Sequence, residues 1–176
     1  MSTDGIQFQQ ASLLDIPLFL HWLEQGAMRR IFNEELVTFV MQLQMYRQAA
    51  PATRVWRRTP SLPAVGGRTL LRARAQGETQ GLVMLQRKGE SDYVIEYIMV
   101  GDDFRRRGVA RQMVQSVVAL LPERTTITAR CSPEAKEMLG LFGRMGFRIV
   151  GRSRAQKGRR VLPWELRFTK TQAQPA

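Results

Sequence analysis

One stretch, residues 93–121, constrains the fold more than any other part of the chain. Its first eight residues, 93–100, are almost all apolar and rich in β-branched and aromatic side chains, which predicts a buried strand. From Val109 onward the apolar positions recur every three to four residues as far as Leu121, as in an amphipathic helix. The stretch therefore predicts a strand, a short turn and a helix in direct succession.

The turn between this strand and helix is basic and contains a glycine. Three consecutive arginines, 105–107, precede Gly108, and Ala110 follows one step into the helix. Because the helix begins where the turn ends, its free N–H groups and the positive end of its dipole point at the turn. Small residues let a phosphate approach the backbone, and arginine grips phosphate oxygens with paired donors. The sequence therefore predicts an anion site, and a phosphate site in particular.

Two sequence blocks resemble a known family. The segment Arg105-x-x-Gly108-x-Ala110 is similar to the coenzyme A signature, Gln/Arg-x-x-Gly-x-Gly/Ala, of the GNAT superfamily of N-acetyltransferases. Residues 141–147 resemble the helix end that the family usually writes Leu-Tyr-x-x-x-Gly-Phe. The blocks follow in the family's order, and with the flanking strands the resemblance covers residues 68–152. It implies an enzyme that moves the acetyl group of acetyl-CoA to a primary amine of a small molecule or protein by direct attack.

The resemblance also implies a fold. A GNAT-like α/β protein has a mixed, mostly antiparallel central sheet, here flanked by about four helices. Strands 93–100 and 125–130 are parallel and splay apart, and the acyl-pantetheine arm lies between them. The sequence agrees with this order, because short glycine-containing turns join strands 69–75, 82–87 and 93–100 as antiparallel hairpins, whereas a helix separates the last of these from 125–130.

Capping residues predict where the other helices begin. Asp15 precedes a helix that runs to about Gln25, and Asn33 precedes a second one. Ser132, with Pro133 at the first helical position, starts the last. In the family the first two helices help to form the acceptor side of the cleft.

The remaining segments bound the domain. We expect one domain over residues 1–170 and a disordered tail at 171–176. Pro163 lies in the last predicted strand, 161–168, and indicates an edge strand or a bulge. Residues 49–67 contain three prolines and two adjacent glycines, and they form either a mobile loop or a functional segment.

The resemblance assigns acetyl-CoA binding to two groups of residues. The end of the strand pairs its backbone with pantetheine, and a backbone N–H near its last residue would stabilise the oxyanion. The turn and the helix start hold the pyrophosphate. The predicted set is Met99, Val100, Arg105, Arg106, Arg107, Gly108, Val109 and Ala110.

Glu96 is the candidate general base. It is the one ionisable residue inside the apolar run that follows Tyr93. A carboxylate there is either paired with a cation or holds its proton more tightly, and the second property suits a base for an ammonium group. Many GNAT enzymes have a glutamate on this strand. Both roles, catalytic base and partner of an arginine, stay open.

Phe142 stands where the family usually has a tyrosine that protonates the departing thiolate. Phenylalanine has no hydroxyl, so the proton comes from Ser132, Cys131 or a water, or the thiolate leaves unaided, because thiols ionise near pKa ~8.5. We name Ser132 as the candidate acid. Cys131 is expected to be a small buried residue, and His21 a packed or surface residue.

Charge keeps other functions open. The chain has 27 basic and 15 acidic residues, a net charge of +12, which favours contact with RNA, an acidic partner or another polyanion. The alternatives are a non-catalytic GNAT-fold module that binds acyl-CoA or nucleic acid, and an acetyltransferase acting on aminoacyl-tRNA.

Other observations exclude whole classes of protein. A single cysteine rules out an internal disulfide, and a single histidine leaves no zinc cluster, so we expect no metal. No secretion signal and no apolar run of membrane length is present, which indicates a cytoplasmic protein without membrane contact. The acceptor amine is not specified, and a homodimer is one option for the assembly.

Overall fold

The computed structural model describes residues 6–28, 60–152 and 163–171, which form a central sheet with helices on both faces. The strands are β1 (Gln7–Gln10), β2 (Arg68–Ala75), β3 (Glu78–Arg87), β4 (Asp92–Val100), β5 (Thr126–Cys131), β6 (Arg148–Arg152) and β7 (Trp164–Thr169). The helices are α1 (Ile16–Met28), α2 (Val109–Leu120) and α3 (Lys136–Arg144). Short 3-10 turns at Leu13–Asp15 and Asp102–Phe104 precede α1 and follow β4.

The described strands form one sheet in the order β1-β2-β3-β4-β5-β7-β6. All neighbours are antiparallel except β4 and β5, which are parallel. This confirms the predicted mixed, mostly antiparallel α/β sheet. The β4–β5 pairing runs from Asp92 and Thr126 to Ile95 and Ala129 and is not seen beyond them. We call the region between the unpaired ends, residues 96–100 and 130–131, the wedge.

The two faces of the sheet carry separate apolar clusters. On one, the α2 face, α2 and α3 cover a core that includes Met113 and Leu166. On the other, the α1 face, Phe19 and Leu23 of α1 pack on a cluster that includes Met84. Each helix thus buries one apolar stripe against alternate strand residues, as the sequence periods predict.

The start of α3 differs from the prediction. The helix begins at Lys136 and not at Pro133, because the preceding residues form a separate turn in which Ala135 N donates to Ser132 O at 3.0 Å. The Ser132 hydroxyl donates to the side chain of Glu134 and accepts from Glu134 N at 3.4 Å, so it caps this turn and not α3. The predicted glycine at the end of this helix is confirmed, since Gly146 follows the last turn and is left-handed (φ +86°).

Asp15 lies directly before α1, as predicted for its capping residue, but its carboxylate makes other hydrogen bonds than a helix cap would. The helix begins at Ile16, directly after Asp15. The carboxylate of Asp15, however, accepts hydrogen bonds from Ser12 N at 2.7 Å and from Arg72 Nη1 at 3.0 Å. Asp15 therefore ties the start of α1 to the sheet.

Pro163 predicted an edge position or a bulge for the last strand, and the edge position is wrong. β7 lies between β5 and β6, and the outer strands of the described sheet are β1 and β6. Pro163 precedes the first residue of β7, where a missing N–H removes no ladder hydrogen bond. The predicted helix after Asn33 and most of the segment 49–67 lie outside the described residues. No helix in the described ranges is long and apolar enough to cross a membrane.

Candidate functional site

The turn between β4 and α2 has a backbone suited to an anion. Gly108 is left-handed (φ +83°) immediately before the first helical residue, and a Cβ placed there would meet no protein atom within 4 Å. Arg106 is left-handed as well, with φ +63°. Turns of this kind can direct successive N–H groups into one concave site. The space beside Gly108 is therefore open to a ligand.

The start of α2 offers free donors to this space. No side chain in the described part of the protein caps the helix. The carbonyl of Gly108 accepts from Gln112 N at 3.0 Å, which begins the intrahelical ladder. The first N–H groups of the helix, those of Val109, Ala110 and Arg111, stay available to a phosphate. The residues present thus fit the pyrophosphate that the sequence predicts here.

The three arginines of the turn are not equivalent. Arg105 folds back, with Nη2 2.8 Å from Asp102 Oδ1. Arg106 forms an exposed ion pair with Glu137 at the start of α3. Arg107 is exposed and makes no ion pair with any residue that the structure describes. Arg107 can therefore meet a phosphate without first breaking a contact.

The end of β4 is held by a glycine that the sequence reasoning missed. Val100 pairs with Gly81 of β3. A Cβ on Gly81 would lie 2.5 Å from the sulfur of Met113 and 3.0 Å from the carbonyl oxygen of Met99. A side chain at this position would push apart the two elements predicted to bind acetyl-CoA. A glycine inside an otherwise β-rich strand was the available signal.

Glu96 lies at the entrance of the wedge and forms a bidentate ion pair with Arg68. Arg68 Nε is 2.7 Å from one carboxylate oxygen, and Arg68 Nη2 is 3.1 Å from the other. Arg68 lies on the α1 face, since it is four residues before Arg72, which binds Asp15 there. The Glu96 side chain is 18 % exposed. The structure thus gives Glu96 an arginine partner, and its role as a base stays a prediction, because each oxygen keeps a lone pair.

Arg130 begins the opposite wall of the wedge. It follows Ala129 as Glu96 follows Ile95, the last paired residues of the two strands. Ala129 and Cys131 are buried in the core of the α2 face, so Arg130 lies on the α1 face with Glu96. Its side chain is 47 % exposed. A carboxylate and a guanidinium therefore flank the entrance to the wedge.

The candidates for protonating the departing thiolate are in unfavourable settings. Phe142 is buried and packs on Phe147, with ring centroids 4.8 Å apart. The hydroxyl proton of Ser132 is engaged by Glu134, and this hydrogen bond lowers the pKa of Glu134. Burial raises the pKa of Cys131 to about 11, which makes it a weaker acid than an ordinary thiol. These contacts favour protonation of the thiolate by water, or departure of the thiolate without a proton.

His21 is a surface residue. It is exposed on α1, with Nε2 3.1 Å from Gln25 Nε2. No group of three His, Cys, Asp or Glu side chains that could hold a metal ion occurs in the described ranges.

The one parallel pair in the described seven-stranded sheet, β4 and β5, is connected through the glycine turn and the uncapped α2, and its pairing ends at Ile95 and Ala129. This arrangement is that of an acetyltransferase fold. A family model described as an acetyltransferase (GNAT) domain matches residues 34–168, well over half of the chain. The chain belongs to the GNAT acetyltransferase family.

Solved structures with low sequence identity share this fold. The ribosomal-protein-S18-alanine N-acetyltransferase from Escherichia coli has a TM-score of 0.64 at 12% identity, with 97% of each chain covered. A spermidine N-acetyltransferase chimera from Vibrio cholerae and hSSAT has a TM-score of 0.65 at 13% identity, covering 94% of this chain and 95% of that chain. A GNAT family acetyltransferase from Elizabethkingia anophelis with acetyl-CoA bound has a TM-score of 0.50 at 17% identity, covering 58% and 76%. A comparison with curated proteins gives no significant match. At these identities the likeness shows the fold and not the acceptor.

Proposed function

We propose that the protein is an acetyl-CoA-dependent N-acetyltransferase that acetylates a primary amine by direct attack. The observation that carries the proposal is the open, left-handed Gly108 in front of the uncapped α2, in a chain of the GNAT family. In this proposal residues 105–110 hold the pyrophosphate, and the backbone of Met99 and Val100 aligns the pantetheine arm.

The chain's own residues then have distinct tasks. Acetyl-CoA supplies an activated acetyl thioester. The N–H groups of α2 and the side chain of Arg107 bind its phosphates, and the wedge orients the thioester toward the α1 face. Arg68 fixes the carboxylate of Glu96 through two hydrogen bonds, which is a positioning role.

The reaction begins with a proton transfer and ends with the departure of coenzyme A. Glu96 accepts a proton from the ammonium group, directly or through a water, and the free amine forms the new C–N bond. A backbone N–H near Val100 stabilises the oxyanion. The C–S bond breaks, the amine nitrogen loses its second proton to solvent, and the thiolate of coenzyme A leaves unaided or takes a proton from water.

Gly108→Val tests the cofactor site. A Cβ meets no protein atom there, so the neighbouring side chains keep their places, although the left-handed conformation costs about 1–2 kcal/mol for a residue with a Cβ. We expect calorimetry to show loss of acetyl-CoA binding in a variant that is still folded by circular dichroism.

Gly77→Val is the matched control. Gly77 is also left-handed (φ +85°) with no atom near its Cβ position, but it lies in the β2–β3 turn. This variant has the same backbone cost and should bind acetyl-CoA normally. An unchanged affinity in folded Gly108→Val would remove the assignment.

A non-catalytic acyl-CoA-binding module is the second candidate. The observation that favours it is Phe142, which is buried and has no hydroxyl to serve the leaving group. Wild-type protein that binds acetyl-CoA but releases no thiol with amines, proteins or tRNA would establish this candidate over the enzyme.

A further inference from the structure

We propose that the acceptor amine carries its own anionic group, a carboxylate or a phosphate, close to the amino group. The inference rests on the proposed acetyl transfer and names the substrate class of the same site. It follows from the charge of the sheet surface beside the wedge.

Three arginines lie together on the α1 face, on the strands beyond the area that α1 covers. The register places Arg167 of β7 opposite Arg148 of β6 and opposite Thr128 of β5. Two residues further along β5, and on the same face, Arg130 lies opposite Glu165 of β7. Residues opposite each other in a ladder share a face, and the residues that alternate with these on β5 and β7 pack in the core of the α2 face. We call Arg130, Arg148 and Arg167 the arginine face.

The acids described on this part of the sheet do not neutralise the arginine face. Glu165 is shared, with its oxygens 3.3 Å from Arg167 and 3.9 Å from Arg130. Arg148 is exposed and has no ion pair with a described residue. Three guanidinium groups and one carboxylate leave an excess of positive charge, and the side chains of Arg130 and Arg167 are about half exposed.

The pair formed by Arg148 and Arg167 is unfavourable in the free protein. The two residues are direct cross-strand partners, and like charges in this position destabilise an antiparallel pair. An anion between Arg148 and Arg167 would remove the repulsion and accept hydrogen bonds from both guanidinium groups. Binding of an anion would therefore turn an unfavourable pair into a favourable one.

The arginine face adjoins the place where the amine must react. Arg130 and Glu96 begin the two walls of the wedge, and Glu96 is already paired with Arg68. A polycation that approaches Glu96 therefore passes guanidinium groups on both sides. An amine with its own carboxylate or phosphate can place its amino group at Glu96 and its anion on Arg130, across the wedge from it, where the two strands are no longer paired. This arrangement favours acceptors that are anionic next to the amine.

The test compares kcat/KM for matched amines with wild-type protein. Phenylalanine, phenylalaninamide and phenethylamine differ in the carboxylate, phosphoethanolamine and ethanolamine differ in the phosphate, and spermidine is the polycation. We expect the anionic member of a pair to be preferred by about 10- to 100-fold, the effect of one hydrogen bond to a charged group. The two pairs distinguish a carboxylate from a phosphate as the group recognised.

Variants locate the preference on the arginine face. Arg167→Gln should bring the ratio of the two kcat/KM values toward one without changing acetyl-CoA affinity, and Arg130→Gln should lower this ratio as well. Arg148→Gln should reduce it while raising the melting temperature, because the like-charge pair is removed. Arg74→Gln removes the same charge in the β2–β3 hairpin, where Arg74 donates to Gly77 O, and should keep the preference.

The outcomes separate this inference from the proposed function. If acetyl-CoA does not bind wild-type protein, the proposed function fails and the acceptor site has no reaction to serve. If acetyl transfer occurs but spermidine or the amines without an anionic group react with the same kcat/KM as the anionic ones, the function stands and this inference is overturned. A loss of turnover in Arg130→Gln that is equal for all amines would place Arg130 on the thioester and also contradict the inference.

Discussion

Replacing Asp15 by alanine tests how α1 is fixed to the sheet. The Asp15 residue is 5% exposed. Its carboxylate accepts from Ser12 N at 2.7 Å, from Arg72 Nη1 at 3.0 Å and from Thr79 Oγ1 at 3.1 Å. These contacts join the residue before α1 to β2 and β3. The position of α1 on the sheet therefore depends on one buried carboxylate.

The structure gives the size of the effect. The Arg72 side chain is 15% exposed, and its Nε is buried without a hydrogen-bond partner. Removing the counter-ion of a buried charge typically costs about 3–5 kcal/mol. Because Gln9 Oε1 stays 3.2 Å from Arg72 Nη2, we expect the lower end, about 3 kcal/mol. In a domain of this size that loss lowers the melting temperature by about 6–12 °C.

Urea unfolding followed by circular dichroism measures the free energy of unfolding. The double variant Asp15→Ala, Arg72→Met keeps an apolar side chain and removes the charge, so it should recover most of the loss. If Asp15→Ala alone costs less than about 1 kcal/mol, the value typical of an exposed ion pair, the reasoning from burial is refuted.

Three further predictions concern the chemistry. Glu96→Gln should lower kcat by about 10² to 10⁴ in a thiol-release assay with little change in acetyl-CoA affinity; an unchanged kcat would leave Glu96 only as the partner of Arg68. Phe142→Tyr should change turnover modestly if the wild type is an enzyme, whereas thiol release that arises only in the variant would mean that the wild type is a binding module. Burial raises the pKa of Cys131 from 9.0 to about 11, so the native state favours the neutral thiol: this stabilisation is complete below pH 9 and is lost as the pH rises toward 11. Cys131→Ala should flatten that alkaline decline in unfolding free energy, and an identical pH profile would contradict the burial argument.

Features that depend on neighbours in sequence could be predicted. The predicted strand 93–100 and the helix from Val109 agree with β4 and α2 to within one residue at each end, because both rest on local apolar period. Gly108 follows the same logic, since the turn needs a left-handed residue directly before the helix. The local pattern was therefore enough to predict this turn, and its binding of phosphate stays a prediction.

Features that depend on contacts between distant strands could not be predicted. Arg68 and Glu96 are 28 residues apart, and their ion pair follows from the β2–β3–β4 register. The cap at Ser132 failed for a different reason: a serine before a proline suits a helix start, but its hydroxyl accepts from Glu134 N in a separate turn that precedes the helix. In both cases the sequence contains several suitable partners, and only the fold selects one.

The site forms where β4 is irregular on both sides. On the β3 side, Met84 pairs with Tyr97 and Leu85 with Ile95, so Glu96 is an extra residue in a bulge. On the β5 side, pairing ends at Ile95.

The bulge reverses the alternation of β4 beyond Glu96. Tyr97 and Met99 therefore pack with α1, and Ile98 with the core of the α2 face. Because residues 93–100 are almost all apolar, the sequence shows no alternation of apolar and polar residues from which this reversal could be predicted. The backbone of β4 thus loses regular partners on both sides at the residue whose carboxylate reaches the α1 face. In the proposed reaction, this one point offers the acyl donor a strand to pair with and the amine a proton acceptor.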